Sequence, residues 1–319
     1  MTEVRPKKMA LLSIYLTFFV DYLSWSIVFP IFAPYFLNPS NPMFSSDFSE
    51  ASRTAVLGFF LMAFSLGQFL GAPAIGEYAD REGRKKALVL GVFFTLVGLL
   101  LTAWSMQINS LILLFIGRLI TGVFASTTSV CLACVSDLSI DEKSKLKKFG
   151  HLSVIAGLSF VLGAFLGGKL SDPSISRFFS ANFPLWLAAI MTFVNLLLVL
   201  FGFKETSVID RSVRYDFMES FHNLKKALQT EKIKRTYTVY FLFLFAWTAL
   251  FQFTPVLVVA KFAFTNSNIG DLGLYMGVCW AIGSGYLNKL LARYFASVRV
   301  LEFCLLGFTL LCGLVVFPN

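Results

Sequence analysis

Apolar residues along this chain gather into long unbroken runs, and the polar residues fall in the stretches between them. A window of about 19 residues separates nine such runs: Met9–Leu37, Thr54–Tyr78, Ala87–Met106, Leu111–Val135, Phe149–Leu170, Phe183–Phe203, Thr236–Phe262, Ile269–Leu291 and Val300–Phe317. Nearly all reach the roughly 20 residues that cross a 30 Å hydrocarbon layer as a helix. No ten-residue segment alternates apolar and polar as the strand of an outer-membrane barrel would. The pattern therefore predicts an all-α, polytopic membrane bundle. The first run follows Arg5, Lys7 and Lys8, as the core of a secretory leader would. It continues through Trp25, Pro30 and Pro34 with no small-x-small cleavage site, which predicts a retained helix.

Composition agrees with a lipid solvent. At 57% hydrophobic and 16% aromatic residues, with 37 Phe in 319 and a mean hydropathy of +0.74, the chain has too little polar surface to cover a soluble globule. The charges then fix orientation. Of the 27 Lys and Arg, Arg53, Lys169, Arg177 and Lys261 lie on one side of the predicted spans and Arg118 lies inside the fourth. All the others fall on the opposite side, which predicts that this side and the amino terminus are cytoplasmic. The net charge of +9 is thus a matter of topology, and no nucleic-acid partner is expected.

Metal and enzymatic chemistry find little support. Cys131 and Cys134 form a CxxC in the middle of the fourth run, with no second pair or His to complete a tetrahedral site, and read as packing residues. His151 and His222 belong to no nucleophile or metal constellation, so the chain is not expected to be an enzyme and no cofactor is expected.

Three segments follow from the spacing of the runs: a six-helix bundle over 1–203, a polar connector over 204–235, and a three-helix segment over 236–319. In the connector, Phe217, Phe221, Leu224 and Leu228 share one helical face flanked by Lys225, Lys226, Lys232 and Lys234. Such a helix lies either on an anionic leaflet or, as a solvated linker, on the protein itself.

The stretch GEYADREGRKKALVLG, Gly76–Gly91, packs seven charged residues into the ten positions Glu77–Lys86 of a chain that is 14% charged. It falls at the tight turn between the second and third runs, where Gly76 would admit a close helix neighbour and Gly83 a positive φ. Gly76, Asp80, Arg81, Gly83, Arg84 and Lys85, spaced G-x-x-x-D-R-x-G-R-K, resemble the signature loop of the major facilitator superfamily of secondary transporters. Other stretches extend that resemblance over the first six runs. DYLSWSIVFPIFAP places Asp21 nine residues before Pro30, as in the drug-efflux branch, with Ser24 and Ser26 where glycines are common. RLITG carries Arg118 and Gly122, and SDLSIDEKSKLKKFG resembles the loop between the fourth and fifth spans, with Asp137 at the helix end. GLSFVLGAFLGG resembles the antiporter motif of the fifth span, with Gly157, Gly163, Gly167 and Gly168 in register and Ala164 replacing the proline.

The resemblance implies a six-helix amino-terminal half followed by an incomplete carboxy-terminal half, three helices short of the family's second six. It implies proton-coupled efflux of small amphipathic or drug-like compounds by alternating access, driven by a proton gradient, in a bacterial cytoplasmic (inner) membrane. Open alternatives are an inactive or split-gene fragment, its missing helices supplied by a separate polypeptide, and a facilitator or symporter for a small solute. It further implies that the Gly76 loop gates the cytoplasmic side, with Arg81 or Arg84 against Asp137 and Asp80 near a helix amino terminus.

Membrane lipid, protons and a small-molecule substrate are the expected partners. Charges inside a span are costly unless paired or facing a wet cavity, which marks Asp21 and Arg118 as pathway candidates. Counted along their helices at 1.5 Å per residue, Asp21 lies about 13 Å and Arg118 about 11 Å from the outer face. Matching depths would let the two pair across the bundle, either as a proton-carrying couple or as a static brace. Gln68, Asn195 and Gln252 are further polar groups within spans, able to meet substrate or to bridge helices.

Overall fold

A computed structural model describes residues 4–45, 47–206, 226, 228–295 and 297–316. Among them all regular structure is helical: α1 Val4–Ser26, α2 Phe32–Leu37, α3 Glu50–Glu82, α4 Arg84–Gln107, α5 Leu111–Phe124, α6 Thr127–Asp137, α7 Glu142–Leu170, α8 Phe183–Gly202, α9 Glu231–Phe262 and α10 Asn266–Ile282. A π turn, Gly283–Leu287, then α11 Asn288–Tyr294 and α12 Ser297–Val316 complete the order. Six described segments are long and apolar enough to cross a membrane, the α5–α6 pair counting as one, and the apolar part of α1, Ala10–Ser26, is a shorter one. The predicted connector face on Phe217, Phe221 and Leu224 lies outside the described residues.

Among the first six predicted spans two are broken, for different reasons. The first stops at Ser26 and resumes at Phe32, because Pro30 has no N–H to give the helix ladder and disfavours helical geometry in the residue before it. Phe29 and Ile31 bond instead to the carbonyls three residues back, at 3.0 and 3.1 Å. The fourth span divides into α5 and α6 without a proline. At this break Ala125 N–H reaches Gly122 O at 3.1 Å, and the hydroxyls of Ser126 and Thr127 bond back to Val123 O and Phe124 O, both at 3.4 Å. Hydroxyls that compete for backbone carbonyls bend helices in this way. The bend also turns Thr127 toward α1.

Residues Met1–Leu274 form one compact unit. Within it α4 packs on α5 and α8, α3 on α5, and α1 on α7 and α8. Two apolar cores fill the interior. One is rich in aromatic rings, with Phe32, Phe36, Phe44 and Phe60. The other gathers Ile14, Phe18, Ile75, Leu88, Leu152 and Phe203 around Cys131 and Cys134, both buried free thiols that fill space. Large apolar side chains such as Phe59, Ile112 and Phe201 stay outside these cores, exposed as a lipid-facing surface requires. Residues Tyr275–Asn319 form a second compact unit, in which the rings of Phe295 and Phe303 meet edge to face at 5.9 Å.

Candidate functional site

A cavity of about 360 Å³ opens among α1, α3, α4, α5 and α6, and its walls include Asp21, Trp25, Gln68, Thr95 and Arg118. Asp21 stands on α1, and Thr127, brought round by the α5–α6 bend, donates its hydroxyl to the Asp21 carboxylate. Arg118 is 6% exposed on α5, its guanidinium over the ring of Phe64 at 4.6 Å and near those of Phe60 and Phe32 at 5.7 and 5.8 Å.

Asp21 and Arg118, at matching depth along their helices, thus share one cavity, but among the described residues no ion pair joins them. The bent helix gives the carboxylate a hydroxyl partner, while three phenylalanine faces hold the cation. Gln68 lines the same cavity. Gln252 lines a smaller pocket of about 60 Å³ that shares Trp25 and Arg118 with it. Asn195 lines neither. It accepts a hydrogen bond from Thr17 Oγ1 at 3.0 Å and so bridges α8 to α1.

At one end of the bundle the charged turn closes on Arg84. Gly83 takes φ 98°, the positive value its place in the turn predicts, and is the single residue between α3 and α4. Arg84 Nη1 then meets Asp80 Oδ1 at 2.6 Å, and Arg84 Nε meets Asp137 Oδ2, at the end of α6, at 3.2 Å. Arg81 lies in the last turn of α3. The close approach expected at Gly76 is absent, since no described atom lies within 4 Å of where its Cβ would be.

Sequence reasoning missed Glu205. Its carboxylate accepts from the backbone N–H of Arg84 at 2.9 Å and of Lys85 at 3.0 Å, capping α4 where Gly83 offers no side chain. The usable signal was a lone carboxylate just after the sixth run, facing an uncapped helix start. Glu205→Gln is expected to lower the melting midpoint in detergent by about 2 °C, in line with about 1 kcal/mol for a carboxylate at a helix amino terminus. An unchanged midpoint would show the cap to be idle.

On α7, Gly163 meets the Ser26 hydroxyl and the Leu23 carbonyl at the end of α1, Gly167 meets the backbone of Ile27 just beyond it, and Gly168 meets α10 at Asn266 and Gly270. Gly157 meets nothing within 4 Å, so this member of the glycine set does not serve close packing here. With Ala164 in place of proline, α7 runs unbroken to Leu170.

A second cluster that the sequence did not reveal joins the far end of α7 to α10. Lys169 Nζ pairs with Asp271 at 2.8 Å and donates to Ser267 Oγ at 2.7 Å, and Asn266 Nδ2 donates to Ser171 Oγ at 2.8 Å. Asp172 accepts from the backbone N–H of Ser174 at 2.9 Å and of Ser267 at 3.1 Å. Burial works to raise the Asp172 carboxyl, yet hydrogen bonds from Ser174, Thr265 and Ser267 outweigh it and hold the group below its ordinary range.

Long apolar helices around a cavity whose walls carry Asp21 and Arg118 define a multi-pass integral membrane protein. Residues 14–319 match the Major Facilitator Superfamily, and the chain belongs to it. It is 33% identical over 169 residues to the class H tetracycline resistance protein of Pasteurella multocida, a match covering 53% of this chain and 40% of that one. Against multidrug resistance protein 1 of Bacillus subtilis (strain 168) it is 30% identical over 194 residues, covering 60% and 46%. The matched stretches therefore span less than half the length of these relatives. The fold is similar to that of the human organic anion transporter MFSD10 (TETRAN), with a TM-score of 0.65 and 20% identity over 88% of this chain and 72% of that one.

Proposed function

We propose that the chain carries out secondary active transport, exporting small amphipathic compounds in exchange for protons by alternating access. The observation that carries this reading is the placement of a carboxylate and a guanidinium, Asp21 and Arg118, on the walls of one cavity inside a membrane bundle. Charge at that depth is expensive, and a cavity that cycles between water and closure gives it a use. The tetracycline and multidrug resistance proteins among its relatives agree with export.

In this reading the amino terminus and the Gly76–Gly91 turn face the cytoplasm, across a bacterial inner membrane. The Asp80–Arg84–Asp137 cluster with Glu205 is then a cytoplasmic clasp that holds when that side is closed and parts when it opens. The Lys169–Asp271 cluster with Asp172 is its counterpart on the outer side. Lipid lying against the exposed apolar faces, and a separate polypeptide supplying further helices, belong to the same proposal, as does the division into segments 1–203, 204–235 and 236–319.

Everted membrane vesicles supply the test. Energised vesicles carrying the chain should accumulate tetracycline or an amphipathic dye, and a protonophore should abolish the accumulation. Uptake indifferent to the protonophore would point to a facilitator. No uptake beyond that of control vesicles would sink the export reading.

A further inference from the structure

We propose that the cavity holds an anion-binding subsite centred on Arg118, so that the compounds it takes carry a carboxylate or comparable anionic group beside an aromatic ring. This rests on the transport reading above and adds the chemical class of the substrate.

Among the described residues of the first unit two arginines are buried, and the protein treats them differently. Arg53 is 4% exposed and spends its donors on three carbonyls: Nε on Phe48 O at 3.3 Å, Nη1 on Asn38 O at 2.7 Å and Nη2 on Pro39 O at 3.2 Å. That is a guanidinium used as structural glue. Arg118 is almost as deeply buried, at 6%, yet its Nε has no acceptor among the described residues and no ion pair reaches it.

Phenylalanine faces offer attraction to a cation but give its five N–H donors no oxygen lone pair to bond to. Buried donors are almost always matched, so an unmatched guanidinium on a cavity wall points to an acceptor that arrives from outside. Thr95 repeats the signature, because its Oγ1 is buried without a partner and the residue lines the same cavity. Asp21, by contrast, already has Thr127.

A carboxylate matches these donors best, since the planar fork binds two oxygens at once. The rings of Phe32, Phe60 and Phe64 around the guanidinium, together with Trp25 on the cavity wall, favour an aromatic body attached to that anion.

Equilibrium dialysis of the purified full chain in detergent, with no gradient, compares 2-naphthoate with 2-naphthamide, two probes alike in size that differ in charge. Wild type is expected to bind the naphthoate at least about tenfold more tightly, the scale of one charge-assisted hydrogen-bond pair. Arg118→Gln should bring the two affinities within about twofold, and Arg118→Lys should keep part of the preference. Thr95→Val, a milder change that tests the site should Arg118→Gln not fold, should cut the preference several-fold.

Equal binding of both probes, binding of neither, or a full preference persisting in folded Arg118→Gln overturns the subsite, as does an unaltered preference in Thr95→Val. The dialysis needs no transport, so the two readings fail separately. A naphthoate preference without gradient-driven uptake in vesicles keeps the subsite and removes export, and dye uptake without the preference does the reverse.

Discussion

Asp21→Asn is expected to reduce gradient-driven uptake into everted vesicles to background while leaving the amount of inserted protein and its melting midpoint unchanged. Among the described residues Asp21 is the only carboxylate on the wall of the larger cavity. The bond from Thr127 holds the side chain in place, and an asparagine carbonyl can accept the same bond. The substitution thus removes the ionisable carboxyl, the proposed proton carrier, while keeping its shape and its partner.

A coupled exchanger without its proton site can still exchange substrate for substrate. Counterflow of labelled against unlabelled compound should therefore survive in the mutant even as uphill transport is lost. Loss of both would mark Asp21 as a substrate contact. Full uphill transport in Asp21→Asn would show that the coupling proton travels elsewhere and would remove the main support for antiport.

The bundle was legible because bilayer thickness imposes a run length that composition cannot hide. A local backbone rule carried equally well at Gly83, with its positive φ, whereas the end of α1 before Pro30 breaks a run that reads as one helix, although the missing N–H of proline is there to signal it. The break at Ala125 and Ser126 was not legible. Serine and threonine occupy helices freely, and only their back-bonding reveals the bend.

That unseen bend also explains why equal depth placed Asp21 and Arg118 in one cavity but did not make them a pair. Depth fixes the height of a residue along a helix, whereas rotation about the axis chooses its partner. Glu205 and Arg84 lie 121 residues apart, and Lys169 and Asp271 102 apart, so no local pattern joins either pair. The glycines of α7 divide for the same reason, since spacing gave their register on one helix but not which of them meet another.

That division supports the second large effect, a contrast between two glycines of one helix. At Gly167 a Cβ would run into the backbone of Ile27, the residue that follows α1, and backbone cannot rotate aside as a side chain can. Gly167→Val must push α1 away from α7, and overpacking of this kind costs about 1–3 kcal/mol. A lower melting midpoint in detergent and a reduced yield of folded protein are expected. At Gly157 the added methyl meets open space, and alanine suits a helix interior better than glycine by roughly 0.8–1 kcal/mol. Gly157→Ala should therefore match or exceed the wild-type midpoint.

The functional consequence goes further than stability. Ile27 follows Asp21 by six residues, so a displacement of α1 at the crossing is carried to the carboxylate and loosens its bond to Thr127. Gly167→Val should accordingly lose more of its gradient-driven uptake than its remaining folded fraction accounts for, whereas Gly157→Ala transports as wild type does. A Gly167→Val protein that melts and transports normally would mean that α1 and α7 are not held at the separation described here. The shape of the cavity that depends on their crossing would then have to be drawn again.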